Sequence, residues 1–201
     1  MIRQAEAKDL RGIAEVFIEA FPQSIAHFRG CRYPLDAVLM MFSVVLAADP
    51  SSLSVFDDGG IILGYICAPV TTKGWWRTAA VQLFRTPWVR LIRTRQITAR
   101  GLGLAVANKA RFCLSAKGDV PVEPRILSLA VGPEWQGRGI GRRLLAAGLE
   151  SLRQRGAQAV RLEVRPDNAA ALALYRSFDF REAGTMKDSQ GSWLIMVKEM
   201  E

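Results

Sequence analysis

Residues 125–131, Arg-Ile-Leu-Ser-Leu-Ala-Val, run through Gly-Pro-Glu-Trp-Gln-Gly-Arg-Gly-Ile-Gly (132–141) straight into an amphipathic helix pattern over 142–155. No other stretch limits the fold as tightly. A short apolar run bounded by turn residues reads as a buried strand, and the helix that follows it so closely has to fold back on the sheet. Gly137, Gly139 and Gly141, on alternate positions, leave the turn without side chains. Its backbone N–H groups and the positive end of the helix dipole are then open to an anion. Arg138, Arg142 and Arg143 add cationic side chains, and the natural guest is a diphosphate. A P-loop is excluded because no Gly-Lys-Ser/Thr follows; a dinucleotide turn is excluded because Arg142 stands where its third glycine belongs. A plain tight connection would use the same glycines.

A second constellation lies downstream. Val160-Arg-Leu-Glu-Val164 alternates as a strand does, Arg165-Pro-Asp-Asn168 supplies a turn and a helix N-cap, and an Ala/Leu-rich helix from Ala169 to Ser177 carries Tyr175. Asn168 and Tyr175 are seven residues apart, about two helical turns, and so face the same way. On its own Tyr175 would read as a core tyrosine. At the start of the chain, 1–10 reads as a short strand followed by a helix that Asp9 initiates and that runs to Ala20, with Leu10, Ile13, Val16/Phe17 and Ala20 on one face. Residues 52–67 form a hairpin pattern across Asp57-Asp-Gly-Gly60, and Thr185 to Lys198 form another across Asp188-Ser-Gln-Gly191.

Gln136-Gly-Arg-Gly139-Ile-Gly141 resembles the acyl-CoA pyrophosphate loop of the GCN5-related N-acetyltransferases (GNAT), Gln/Arg-x-x-Gly-x-Gly/Ala, and the Asn168–Tyr175 pair stands at that family's spacing. The resemblance covers 1–70 and 124–201. It departs at Asp179, where the family's Tyr-x-x-x-Gly-Phe ending has glycine, but Asp accepts left-handed φ better than most residues. It implies a mixed α/β acyltransferase fold: a central, mostly antiparallel sheet flanked by helices and splayed between its fourth and fifth strands, the fourth parting from the fifth after Leu129. All of 1–201 would then be one domain, with a basic helical insertion, 71–118, between strands three and four.

The implied activity is transfer of the acetyl group of acetyl-CoA to a primary amine by direct attack in a ternary complex, the acceptor being a small molecule, such as an anionic amino sugar. Leu129, Ala130 and Val131 would hold the pantetheine arm and thioester by their main chain, with the Val131 N–H at the developing oxyanion. Gln136, Gly137, Arg138, Gly139, Ile140, Gly141 and Arg142 would hold the pyrophosphate, Asn168 the pantetheine, and Tyr175 would protonate the leaving thiolate, its phenol being comparable in acidity to the thiol. Glu163 is the chosen general base, acting through water, ahead of Glu134 and Glu123; position 128 on the acyl-transfer strand is Ser. Phe21, His27 and Arg29, after the first helix, are candidate acceptor contacts. Two other readings stay open: acetylation of a protein or peptide amine, and a non-catalytic CoA-binding module.

Charge bears on the second of these. Segment 71–118 holds ten Lys/Arg and no Asp or Glu; without those ten, 17 basic residues face 19 acidic ones, so the net +8 is local. Three of the five tryptophans (Trp75, Trp76, Trp88) lie in it, and its pattern is helical in pieces, Trp75–Phe84, a stretch opened by Pro87, and Leu102–Leu114. A solvated basic face, an acceptor lid, a surface for anionic lipid and an RNA contact all fit such a segment. No apolar run reaches the ~20 residues of a membrane span, and the charged opening is unlike a signal peptide. Three scattered cysteines (Cys31, Cys67, Cys113) and one histidine give no basis for a disulfide framework or a metal site, so the cytoplasm is the expected compartment. Monomer and homodimer are both open.

Overall fold

Among the described residues, 2–20, 53–67, 75–85, 125–131, 140–154, 159–176, 181–188 and 191–199 form the helices and strands that their alternation or spacing calls for. The computed structural model describes residues 1–22, 25, 34–85, 120, 122–188 and 191–200. In chain order these give β1 (Ile2–Gln4), α1 (Leu10–Ala20), α2 (Pro34–Ala48), β2 (Leu53–Asp58), β3 (Ile61–Cys67) and α3 (Trp75–Arg85). Then follow β4 (Arg125–Ile126), β5 (Ser128–Val131), α4 (Ile140–Gln154), β6 (Ala159–Val164), α5 (Ala169–Arg176), β7 (Arg181–Asp188) and β8 (Gly191–Glu199). His27, Arg29, Cys31, Cys113 and segment 86–118 lie outside the described residues.

The strands make two four-stranded sheets, β1-β2-β3-β5 and β4-β6-β8-β7, and every pairing is antiparallel except β4 with β6. The expected fourth strand, 125–131, is therefore shared. Its first two residues join the second sheet, and its last four join the first. Between them the Leu127 N–H donates to Cys67 O at 2.9 Å. The last pair with β6 is Ile126 with Leu162, so the strand parts from its neighbour three residues before the expected point at Leu129. The hydrogen bonds of Arg125 N–H to Pro69 O (3.1 Å) and Leu127 N–H to Cys67 O bind it to the first sheet that early.

The first sheet is covered on both faces, and β3 accordingly is buried from Ile62 to Cys67. A bulge changes its sidedness: Phe56 pairs with Gly64 but Asp57 with Ile62, leaving Leu63 extra. Ile62, Tyr65 and Cys67 pack with Ile13 and Val16 of α1 and Val38, Phe42 and Val45 of α2. Leu63 and Ile66 pack instead with Leu144, Leu145, Leu149 and Leu152 of α4, in a core continued by Val160, Leu162 and Val164 of β6. Gly148 lets α4 approach this closely, since a Cβ there would overlap the Ile66 side chain.

One local expectation needs correction. Asp9 does not cap α1 with its side chain. Its carboxylate accepts two hydrogen bonds from Arg3 (2.6 and 2.8 Å) and one from the Glu6 N–H (2.8 Å), closing the 3-10 turn Ala7–Asp9 and tying β1 to it. Arg3 also bonds Asp57 on β2 (2.9 Å). A nearby guanidinium outbids the helix N–H groups for a carboxylate. No helix among the described residues is long and apolar enough to cross a membrane.

Candidate active site

The glycine loop builds the first wall. Gly137 and Gly139 sit at φ +76° and +75°, conformations that L side chains rarely adopt, and nothing lies within 4 Å of where their Cβ atoms would be. Gly139 is the N-cap of α4, and the first backbone hydrogen bond of that helix runs from Arg143 N–H to Gly139 O (3.1 Å). The N–H groups of Ile140, Gly141 and Arg142 are thus the free donors of a helix N-terminus. Arg138 stacks over Trp135 (4.6 Å), Arg142 over Phe178 (5.0 Å) and Arg143 over Phe56 (4.7 Å), which orders three exposed cations around the loop. This loop fits the diphosphate that its sequence suggested: open donors, no side chain in the way and cations at the rim.

The second wall is β5. Gly132 N–H donates to Leu63 O (2.9 Å), so residues 128, 130 and 132 point their backbone groups at β3. In an antiparallel ladder the alternate residues, Leu129 and Val131, then turn theirs the other way. That side has no strand, because β6 left at Ile126. The Val131 carbonyl there accepts from Gln136 Nε2 at 3.1 Å.

The third wall is α5. Asn168 caps it, Oδ1 accepting from Ala171 N–H at 3.0 Å, as its sequence implied; that oxygen is therefore occupied, and the amide N–H groups are what remain for a ligand. The helix ends in paired bonds, Phe180 N–H to Tyr175 O (3.2 Å) and Asp179 N–H to Arg176 O (3.0 Å), with Asp179 at φ +62°. This ending carries Phe180 back over Tyr175, ring centroids 5.8 Å apart. Tyr175 is 8% exposed and its hydroxyl has no hydrogen bond among the described residues. Burial pushes its pKa up to about 12. The close match with a thiol expected from sequence is therefore absent in the chain as it stands. The three walls meet: a Cβ on Gly141 would lie 3.7 Å from both Val131 Cγ2 and Leu174 Cδ2, and Arg142 bonds Ser177 Oγ (3.0 Å).

Glu163 stands one step past the last β4–β6 pair, at the apex of the opening between the strands. Its side chain is 5% exposed and Oε1 accepts from Arg161 Nε at 2.7 Å. Of the other carboxylates considered, Glu134 is solvent-exposed and Glu123 is paired with Lys73, which holds its carboxyl below the usual glutamate value. Phe21, following α1, is half-buried against Phe17 (5.1 Å); Phe17 meets Phe42 (5.8 Å), and Phe42 meets Tyr65 (5.0 Å), whose hydroxyl bonds Ser128 Oγ on β5 at 2.7 Å. A row of core aromatics thus runs from the end of α1, through the core shared by α1, α2 and β3, to Ser128 of β5. Tyr65, Ser128 and Arg161 were not singled out from sequence. For Arg161 the signal was there: an arginine two residues before a glutamate on an alternating strand shares its face. For Tyr65 and Ser128 there was none, since 63 residues separate them. Among the described residues no group of three or more His, Cys, Asp or Glu could hold a metal ion.

Comparison with known proteins agrees with this geometry. The sequence model of the Acetyltransferase (GNAT) family matches residues 13–180. Mycothiol acetyltransferase of Rhodococcus opacus (strain B4) is 46% identical over 69 residues, 34% of this chain and 23% of that protein. The [ribosomal protein bS18]-alanine N-acetyltransferase of Escherichia coli (strain K12) is 46% identical over 61 residues, 30% of this chain and 41% of that one. The match thus spans less than half the length of these curated relatives. A ribosomal-protein-alanine N-acetyltransferase from Brucella melitensis superposes with a TM-score of 0.62 at 20% identity, over 100% of this chain and 99% of its own, a likeness of fold.

Proposed function

The chain belongs to the acetyltransferase (GNAT) family, and on that premise we propose that it acetylates the primary amine of a small molecule, using acetyl-CoA, in the cytoplasm and as one domain over 1–201. The observation that supports this reading is the opening where the strand 125–131 parts from β6 after Ile126, with the glycine loop beside it and Gly141 set against Val131 of β5 and Leu174 of α5, the helix that carries Tyr175. Acetyl-CoA supplies an activated acetyl group as a thioester. Gln136 to Arg142 hold its diphosphate, Asn168 and the main chain of Leu129, Ala130 and Val131 align its arm, and the Val131 N–H stabilises charge on the carbonyl oxygen. Glu163 takes the proton released by the attacking amine through a water. Tyr175 gives its hydroxyl proton to the leaving sulfur. The balance is one C–N bond formed, one C–S bond broken, and one proton moved from nitrogen to sulfur by way of solvent. Holding amine and thioester together supplies much of the rate.

Phe21, half-buried at the end of α1, is the described residue assigned to the acceptor side; His27 and Arg29, assigned to it from sequence, lie outside the described residues. The relative named for ribosomal protein bS18 alanine supports a second reading, an N-terminal peptide amine. Titration calorimetry with acetyl-CoA, followed by thiol release in the presence of glucosamine and of an alanine-started hexapeptide, tests both. Turnover of the amino sugar supports the first reading and turnover of the peptide the second. Absence of acetyl-CoA binding by folded protein removes both.

A further inference from the structure

Beyond the residues of the proposed chemistry, one buried group is unexplained. Arg161 is fully buried, the largest such side chain among the described residues. It lies on the face of β6 opposite the α4 core, to which Val160, Leu162 and Val164 belong. Taking a guanidinium out of water is costly unless its partners are well placed. Here Nε donates to Glu163 Oε1 at 2.7 Å and Nη1 to the Val120 carbonyl at 3.1 Å. The backbone on which it stands is fixed as well. Arg161 N–H bonds Pro124 O (2.9 Å), and the residue pairs with Arg125 on β4 and Val197 on β8.

Arg161 therefore sits in the last joined stretch of the second sheet, and Glu163 two residues on, where the strand has lost its β4 neighbour. The Glu163 side chain is itself buried, 5% exposed, so its carboxylate needs a partner. The arginine supplies one from within the protein. It grips one oxygen, Oε1, and Oε2 makes no hydrogen bond among the described residues. That geometry leaves the second oxygen to accept a proton while the first is held.

We propose that Arg161 is a positioning residue for acetyl transfer: anchored in the joined sheet, it holds the Glu163 carboxylate at the apex of the opening with Oε2 free for the amine's proton. The inference rests on the reading of Glu163 as the base. Arg161 neither gains nor loses a proton in the cycle; the proton of the amine passes through water to Glu163 and from there to solvent.

The test is a double-mutant cycle in kcat with whichever of glucosamine or the alanine-started hexapeptide turns over, alongside calorimetric acetyl-CoA binding and thermal melting. Arg161→Lys keeps the charge but not the geometry. It is expected to lower kcat about 10- to 100-fold, with KM for the amine and Kd for acetyl-CoA changed less than about threefold. Added to Glu163→Gln, the same substitution is expected to cost less than about threefold more, because its effect runs through the carboxylate. Arg161→Gln, which can still donate one hydrogen bond, is expected to fall between wild type and Arg161→Lys. Full additivity in the double variant overturns the proposal, as does an unchanged kcat in folded Arg161→Lys while Glu163→Gln is impaired; in both cases Glu163 stays the base. A wild-type kcat in Glu163→Gln removes the base reading itself, and the proposal with it. Failure of both Arg161 variants to melt cooperatively makes the pair a stability element and overturns the positioning role.

Discussion

Tyr175→Phe separates chemistry from structure more cleanly than any other change. The ring is what packs: it is 8% exposed and set against Phe180 at 5.8 Å, and phenylalanine keeps both. The hydroxyl makes no hydrogen bond among the described residues, so deleting it leaves no partner unsatisfied and should change stability by less than ~1 kcal/mol. Acetyl-CoA affinity should also hold within about threefold, because the glycine loop proposed to bind the diphosphate is untouched. The effect on turnover can be bounded. A phenol at about 12 is protonated throughout the working pH range, so the proton is always present to be given. Passing it to a thiolate of pKa ~8.5 is uphill by roughly 3.5 pK units, about 5 kcal/mol. That places the contribution toward the lower part of the usual range for a general acid, about 10²- to 10³-fold in kcat. The assay is release of the CoA thiol, followed with a thiol-reactive dye at saturating acetyl-CoA. The sign of the pH dependence follows too: loss of activity through this group comes only as pH rises toward about 12, above the ordinary tyrosine value of 10. A kcat within about threefold of wild type would refute the assignment.

Three further outcomes are expected. Gly139→Glu places a Cβ on a residue at φ +75° and a negative charge at a helix N-terminus, so acetyl-CoA binding by calorimetry should fall at least about tenfold while the far-ultraviolet spectrum is kept. Arg3→Leu removes both hydrogen bonds to the 5%-exposed Asp9, with a cost of about 1.5–3 kcal/mol in urea unfolding at neutral pH. Because Arg3 holds the Asp9 and Asp57 carboxyls below their ordinary value of 3.8, this stabilisation exists above that pH and disappears as pH falls further; the variant and wild type should converge in acid, and a constant difference would contradict the ion-pair account. Asp179→Gly relieves a non-glycine residue at φ +62° at the end of α5 and gives up only an exposed 3.7 Å ion pair with Lys198, so the thermal midpoint should hold or rise by a few degrees, whereas Asp179→Val should lower it.

Much of this molecule could be read in its residues because the readable parts are local. The alternation of 160–164, the apolar spacing of 10–20, the glycines at 137 and 139, and Asn168 as a cap each depend on neighbours within a turn or two, and each forms what its pattern calls for. Asp179 in the left-handed region is another such case. Asp9 marks the limit: its type suits a cap, but Arg3 and Glu6, brought together by the fold of β1 and the turn, take its carboxylate instead.

What the sequence determined on its own was the strand–helix order at 1–20, 125–155 and 160–177, the hairpin at 52–67 and the place of the glycine loop, since backbone conformation and period are short-range properties; the helix Pro34–Ala48 had no such signal read from it. The tertiary structure alone decided where the strand 125–131 changes sheets, that a bulge turns Leu63 to the other core, and that burial lifts the Tyr175 phenol to about 12. Each of these depends on what lies across a sheet or a helix interface. Solvent exclusion and the competition between strands for backbone hydrogen bonds are set by neighbours distant in sequence, so no local pattern encodes them.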